Sequence, residues 1–218
     1  MTTDRDRRPA EEERRPTTGG ARAELKQERA VRTRGQVLDA AAHAFAAKGF
    51  PAVTILDVAE LTGMTKGAVY FHYPNKEALA VAVAERFYER LPAIADGVRA
   101  LGLAPLSAVA ELLTRTATAF RDDIMIQAGA RLQIERSLIK APLPMPYTGY
   151  GNLVSGWLQE ARDAGELSAG TDPDVIARVL ISAFFGAQHI SWVLSDRADL
   201  AERVQEILDV VLVPARST

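Results

Sequence analysis

The chain has 218 residues, with 26 Lys and Arg against 28 Asp and Glu, and no cysteine. The missing cysteine excludes a disulfide framework, a thiolate nucleophile and any Cys-ligated metal, and it fits a reducing cytoplasm. A net charge of −2 means that whole-chain electrostatics do not favour nucleic acid, but a local basic patch remains compatible with it.

In chain order, residues 1–25 read as a disordered arm. "MTTDRDRRPAEEERRPTTGGARAE" has almost no large apolar residue, so it cannot bury enough surface to offset the entropy of ordering. It alternates acids and arginines and lacks the apolar stretch of a secretory signal. The cations that follow (Arg22, Lys26, Arg29, Arg32, Arg34) either belong to a solvated tail or lie along a DNA backbone. No apolar run is expected to be long enough to cross a membrane.

From about residue 30 the pattern is helical. Leu38, Ala42 and Phe45 recur at helical spacing, and Lys48-Gly49 ends that helix with glycine at the C-cap. Thr54 with Asp57 three residues on predicts an N-cap, and Gly63 stops this second, short helix. Thr65 opens a third. It is short because Pro74 disfavours the helical region at Tyr73. Asn75 caps a longer helix, residues 75–98, expected to bend at Pro92. Further helices are expected from Pro105, over "DIMIQAGARLQIERSLI", over "YTGYGNLVSGWLQEARDAG", from Asp172-Pro173 through Trp192, and over "DRADLAERVQEILDVVLV". The proline-rich "KAPLPMP" breaks the series. No stretch alternates as a strand would, so the expected fold is all-α with about nine helices.

The segment "ILDVAELTGMTKGAVYFHYP" has the pattern of a helix-turn-helix. Ala59 is small where the helices approach, Gly63 supplies the positive φ of the turn, and Met64, Val58 and Val69 pack beneath it. On the outer face of the second helix, Thr65 and Lys66 sit at the N-terminus, where a phosphate is favoured. Gly67 and Ala68 let the backbone approach. Lys66 reaches guanine O6/N7. Tyr70 and His72 donate to phosphates, and Lys76 neutralises another. Phe71 and Tyr73 are expected in the core. The competing reading is a structural helical corner with a solvated face.

His43, His72 and His189 are scattered, without metal-ligand spacing. No serine elbow, phosphate loop or carboxylate pair is evident. The chain is therefore read as a non-enzyme with no cofactor and no metal.

The stretch "TILDVAELTGMTKGAVYFHYPNKEAL", with the preceding "AFAAKGF", strongly resembles the N-terminal signature of TetR-family transcriptional regulators. The resemblance implies a three-helix DNA-binding domain at 26–74 and a ligand-binding and dimerisation domain at 75–218. It also implies repression relieved by a small molecule. Thr54, Thr65, Lys66, Gly67, Tyr70, His72 and Lys76 match positions that contact DNA. "FRDDIMIQAGARLQIERSLIKAPLPMPYTGY" further resembles the γ-butyrolactone receptors and their relatives that sense furans or butenolides and control antibiotic biosynthesis. Where many members carry a Trp after the proline loop, this chain has Tyr150.

Ligand contacts are expected from polar and aromatic residues placed where Leu would suffice: Tyr88, Gln127, Gln133, Tyr147, Tyr150, Trp157, Phe184, Gln188 and Trp192. They suit an alkyl tail with an oxygenated head. Arg131 or Arg136 can meet a carboxylate, although Arg131 can equally pair with Glu135. A homodimer is expected through the last two helices, with Gly186 and Ala187 allowing close approach and Leu200, Val204, Ile207, Leu208 and Val211 adding surface. The expected protein is a cytoplasmic, nucleoid-associated repressor on a pseudo-palindromic operator. The alternative is a relative that senses a drug, an antibiotic or a lipid.

Overall fold

The structure, a computed structural model, describes residues 18–168 and 170–212. Among these there are nine α-helices, one 3-10 turn and no strand. The chain divides into two compact units, one up to Gln36 and one from Val37.

The N-terminal unit contains the start of α1 (Thr18–Ala52). This helix begins well before residue 30, where the apolar pattern placed it. Ala, Glu, Leu, Lys and Arg dominate 21–29, and these residues form helix without burying a face. Lys26, Arg29 and Arg32 are exposed on it. The rest of the expected arm, residues 1–17, lies outside the described residues, as does the Arg22 side chain.

In the second unit, α1 is interrupted at Gly49 (φ 77°), as the Lys48-Gly49 stop predicts. α2 (Ile55–Thr62) begins with a capping box: Asp57 N–H donates to Thr54 Oγ1 at 3.2 Å, and Thr54 N–H donates to Asp57 Oδ2 at 2.7 Å. It ends in a Schellman turn, with Gly63 at φ 67°, Met64 N–H on the Ala59 carbonyl and Gly63 N–H on the Glu60 carbonyl. α3 (Lys66–His72) is capped by Thr65 and stopped at the extended Tyr73. α4 (Lys76–Arg99) starts at Asn75, whose Oδ1 accepts from Ala78 N–H at 2.7 Å, and it continues through Pro92. The missing proline N–H leaves the Tyr88 carbonyl without its helical donor.

α5 (Pro105–Asp122), α6 (Ile124–Ile134), α7 (Thr148–Asp163), α8 (Pro173–Ser195) and α9 (Leu200–Val211) complete the unit. α6 stops short of the expected Ile139, and Arg136–Leu138 form the 3-10 turn.

Two apolar clusters hold the helices. One joins α1, α2, α3 and the first half of α4 to Met125, Ala128 and Leu132 of α6. The other gathers the rest of α4 with α5, α7, α8, α9 and the Ile126–Ala130 side of α6. Residues from both sides of position 75 thus share one cluster. α4 and α6 take part in both clusters.

Contrary to the sequence reading, α8 is by length and composition apolar enough to cross a membrane. It has two apolar faces. Ala177, Leu180 and Phe184 are buried in the bundle, while Val175, Val179, Ile190, Val193 and Leu194 are 44–71% exposed. A second correction concerns α9. Leu200, Val204 and Leu208, expected at a dimer surface, are buried in the chain's own core, and Ile207 and Val211 pack against it. Val210, 77% exposed, is the large apolar residue that α9 turns outward among polar ones.

Candidate functional site

α3 has one buried residue, Val69, and presents the rest outward. Thr65, Lys66, Gly67 and Tyr70 are exposed, and His72 is half-buried. A Cβ at Gly67 would meet nothing closer than Thr65 Oγ1 at 4.0 Å, so the backbone there is open to an approaching surface. Lys66 Nζ lies 5.7 Å from the Tyr70 ring centroid. Phe71, expected in the core, is 82% exposed with its ring edge-on to His72. It lies two residues from Val69, which on a helix is nearly the opposite side. Tyr73 is buried, as expected.

Thr54 is exposed but engaged in the α2 cap. Asp57 in that cap also pairs with Lys48, and Lys48 first, then Thr54, hold its carboxyl well below the usual carboxylate range. Lys76 is engaged with the end of α1. Its Nζ donates to the Phe50 carbonyl at 2.8 Å and lies 4.3 Å from the Phe50 ring centroid. α4 thereby covers the carbonyl end of α1.

Between α4, α6, α7 and α8 lies a cavity of about 230 Å³. Tyr88, Gln133, Tyr147, Tyr150 and Gln188, five of the residues singled out from the sequence, line it. Gln133 and Gln188 are 6% and 2% exposed, and the Nε2 of each has no hydrogen-bond partner. Gln133 Oε1 accepts from Arg136 Nη1 at 3.1 Å. The Tyr150 and Thr116 hydroxyls are 2.7 Å apart, and burial pushes the Tyr150 phenol up. Burial, reinforced by Tyr147 and opposed by Arg136, pushes Tyr88 up to about 12. Apart from His189 the rest of the wall is apolar, so three phenols and two amides supply the cavity's other donors and acceptors. Such a site can hold a small uncharged ring by its oxygens.

A wider cavity of about 750 Å³ adjoins it, with Asn152, Ser155, Asp174 and Arg178 in its lining. Tyr147 and Phe185 line both cavities, and their rings meet edge-on at 4.6 Å. Tyr147 adopts φ 65° at the start of α7, a conformation that costs a non-glycine residue energy.

Four of the singled-out residues line neither cavity. Gln127 Nε2 donates to the Arg121 carbonyl at 2.7 Å. Trp157 is buried in the core beneath Arg99, whose guanidinium carbon is 4.9 Å from its ring centroid. Phe184 is fully buried against Phe120. Trp192 sits between the guanidinium groups of Arg131 and Arg197, at 5.1 and 5.2 Å. Phe87, Leu91, Ala130, Ile134, Phe185 and His189 line the cavity and were not singled out. In the sequence a cavity-lining Phe carries no mark that a core Phe lacks. Only His189 is of a residue type that marks a candidate site, and it lacks metal-ligand spacing.

Two family models match separate stretches of the chain. The family described as "Bacterial regulatory proteins, tetR family" matches residues 37–83, and "Tetracyclin repressor-like, C-terminal domain" matches residues 105–214. The A-factor receptor protein of Streptomyces griseus is 32% identical over 84% of this chain, which spans only 63% of that protein's length. A solved structure described as "Molecular basis for control of antibiotic production by a bacterial hormones" is 51% identical. It covers 85% of this chain and 99% of its own, with a TM-score of 0.79. A γ-butyrolactone receptor described as an ArpA-like protein is 25% identical over 84% of this chain and 98% of its own, with a TM-score of 0.66.

Proposed function

The chain belongs to the TetR family of bacterial regulatory proteins, and on that premise we propose that it is a cytoplasmic, homodimeric transcriptional repressor. A small signalling molecule of the γ-butyrolactone, butenolide or furan type releases it from a pseudo-palindromic operator. The observation that carries the reading is the cavity of about 230 Å³ with two buried glutamine amides whose nitrogens lack partners. A buried unpartnered donor costs about 1–3 kcal/mol, so a protein that keeps two of them on one cavity wall has a use for them. Carbonyl or hydroxyl oxygens of a ligand satisfy both.

The reading part is residues 26–74, where α3 offers Lys66, Tyr70 and Phe71 to the major groove. The sensing part is residues 75–218. Two copies associate through the outer apolar face of α8, Val175, Val179, Ile190, Val193 and Leu194, where a Cβ at Gly186 would meet nothing within 4 Å. A symmetric pair of this kind spaces its α3 helices for half-sites one helical turn apart. The chain's likeness to a receptor for A-factor and to a regulator of antibiotic production supports control of specialised-metabolite genes, including antibiotic biosynthesis.

The test is an operator selected from random duplexes by the purified protein, followed by gel-shift titration with an alkyl γ-butyrolactone, a butenolide and an alkylfuran carboxylic acid. Release by one of these at micromolar concentration is expected. Tight operator binding that none of them disturbs would contradict the sensor role and leave a DNA-binding protein only.

A further inference from the structure

α6 has a second working side. Its Ala130, Gln133 and Ile134 line the cavity, while Arg131 and Glu135 reach the carbonyl end of α1. Arg131 Nη1 donates to the Ala46 and Ala47 carbonyls at 2.8 and 3.1 Å. Its Nε donates to Glu135 Oε1 at 3.0 Å. Glu135 Oε2 in turn accepts from the Phe50 N–H at 2.6 Å, beyond the break at Gly49. The pair thus satisfies carbonyls before the break and an amide after it. Gly49 makes this possible: at φ 77° a Cβ there would lie 2.4 Å from Glu135 Oε1 and 2.6 Å from Arg131 Nη2.

A second route reaches the same guanidinium from the cavity. His189 lines the cavity and meets the Trp192 ring edge-on at 5.8 Å, and the face of Trp192 lies against Arg131. Anything that moves α6 or His189 therefore acts on Arg131, and through it on the end of α1.

We propose that Arg131 and Glu135 are the positioning residues that set the pose of the α1 end, and with it the α2–α3 pair, according to whether the cavity is filled. The inference rests on the repressor reading above and names the joint through which that site acts. Lys at 131 cannot replace Arg, because one ammonium cannot hold a carboxylate and two carbonyls in a planar fork. Gln at 135 keeps the acceptor for Phe50 but removes the charge that orients Arg131.

The test compares wild type, Arg131→Lys and Glu135→Gln in three measurements. These are calorimetric affinity for an alkyl γ-butyrolactone or an alkylfuran carboxylic acid, affinity for the selected operator, and the factor by which the probe lowers operator affinity. Both variants should bind probe and operator within about threefold of wild type, while the factor falls at least tenfold. An unchanged factor overturns the proposal. So does a uniform loss of stability and operator affinity with the factor intact, since that is what a purely structural pair would give.

A ligand-independent arm uses Ala130→Leu, which places extra methyl groups on the cavity wall. Amide exchange at Phe50 should quicken at least tenfold in this variant, and Glu135→Gln should abolish the difference. No change at Phe50 overturns the proposal. A response at Phe50 with no effect of either probe on the operator leaves the joint in place and removes the ligand-release reading instead.

Discussion

Gly129 of α6 lies against Phe87 of α4 with no room for a methyl group: a Cβ there would stand 2.3 Å from Phe87 Cβ and 2.4 Å from its Cγ. These atoms sit close to the α4 backbone and cannot swing aside. Gly129→Ala should therefore push the two helices apart and destabilise the protein by about 1–3 kcal/mol. Urea denaturation measures this. Phe87 also lines the cavity, so probe affinity should fall in the same variant.

Gln188→Leu should have opposite effects on stability and sensing. Removing an unpartnered amide nitrogen from a 98% buried site should raise stability by about 1 kcal/mol. The same change removes a donor for the ligand, so release from the operator should require at least tenfold more probe. A thermal melt and a gel-shift titration on one preparation read both.

Phe71→Ala should leave the melting temperature nearly unchanged, because the ring is 82% exposed. Operator affinity should fall roughly tenfold, as for loss of an apolar contact with a thymine methyl. Lys66→Ala should cost about 1–3 kcal/mol on the selected operator and less on duplexes mutated at the contacted G·C pair. Equal losses on all duplexes would place Lys66 on a phosphate.

Lys76→Met tests a different balance. The ammonium is half-buried and held on the Phe50 carbonyl, so the variant should lose about 1–2 kcal/mol of folding stability. If Lys76 also neutralises a phosphate, the slope of log affinity against log salt should shrink by about one unit. A stability loss with an unchanged slope assigns it to the α1 end alone.

Alkaline pH should weaken the fold through Tyr88. Its folded pKa is raised to about 12, while the unfolded chain titrates near 10. Between these values the folded state holds a proton that the unfolded state has lost. The resulting stabilisation is fully present below about pH 10 and is lost as pH rises through about 12. Tyr88→Phe should flatten the decline in stability over that window, leaving the part due to Tyr150.

Boundaries set by local caps were legible, whereas the start of α1 and the end of α6 were not. Thr54 with Asp57, Gly63, Asn75 and Asp172-Pro173 each act within a few residues, and each stands at a helix end. The direction a side chain faces is not local. Phe184 and Phe185 are adjacent on an apolar helix, yet only Phe185 reaches the cavity. Nothing short of the packing of α5 against α8 decides which. Gln133 and Gln188 were legible as cavity residues because a buried amide is unusual wherever it occurs. Phe71 was misread for the converse reason: an exposed ring is unusual, and pattern alone assigns it inward. Leu200, Val204 and Leu208 follow a clean apolar stripe, but a stripe does not say whether it covers its own bundle or a neighbour's.

The apolar cluster that joins α1, α2 and α3 to α6 also governs what an engineer can transplant. A cut at residue 75 would leave Val37, Phe45 and Val69 on one fragment and Leu79, Val83, Met125 and Leu132, which pack in the same cluster, on the other. Hybrids that exchange only the first three helices between relatives would inherit mismatched halves of one core. Moving Leu79 to Ala84 together with the inner residues of α6 keeps the halves matched, at the cost of carrying part of the donor's sensing apparatus along with its DNA preference.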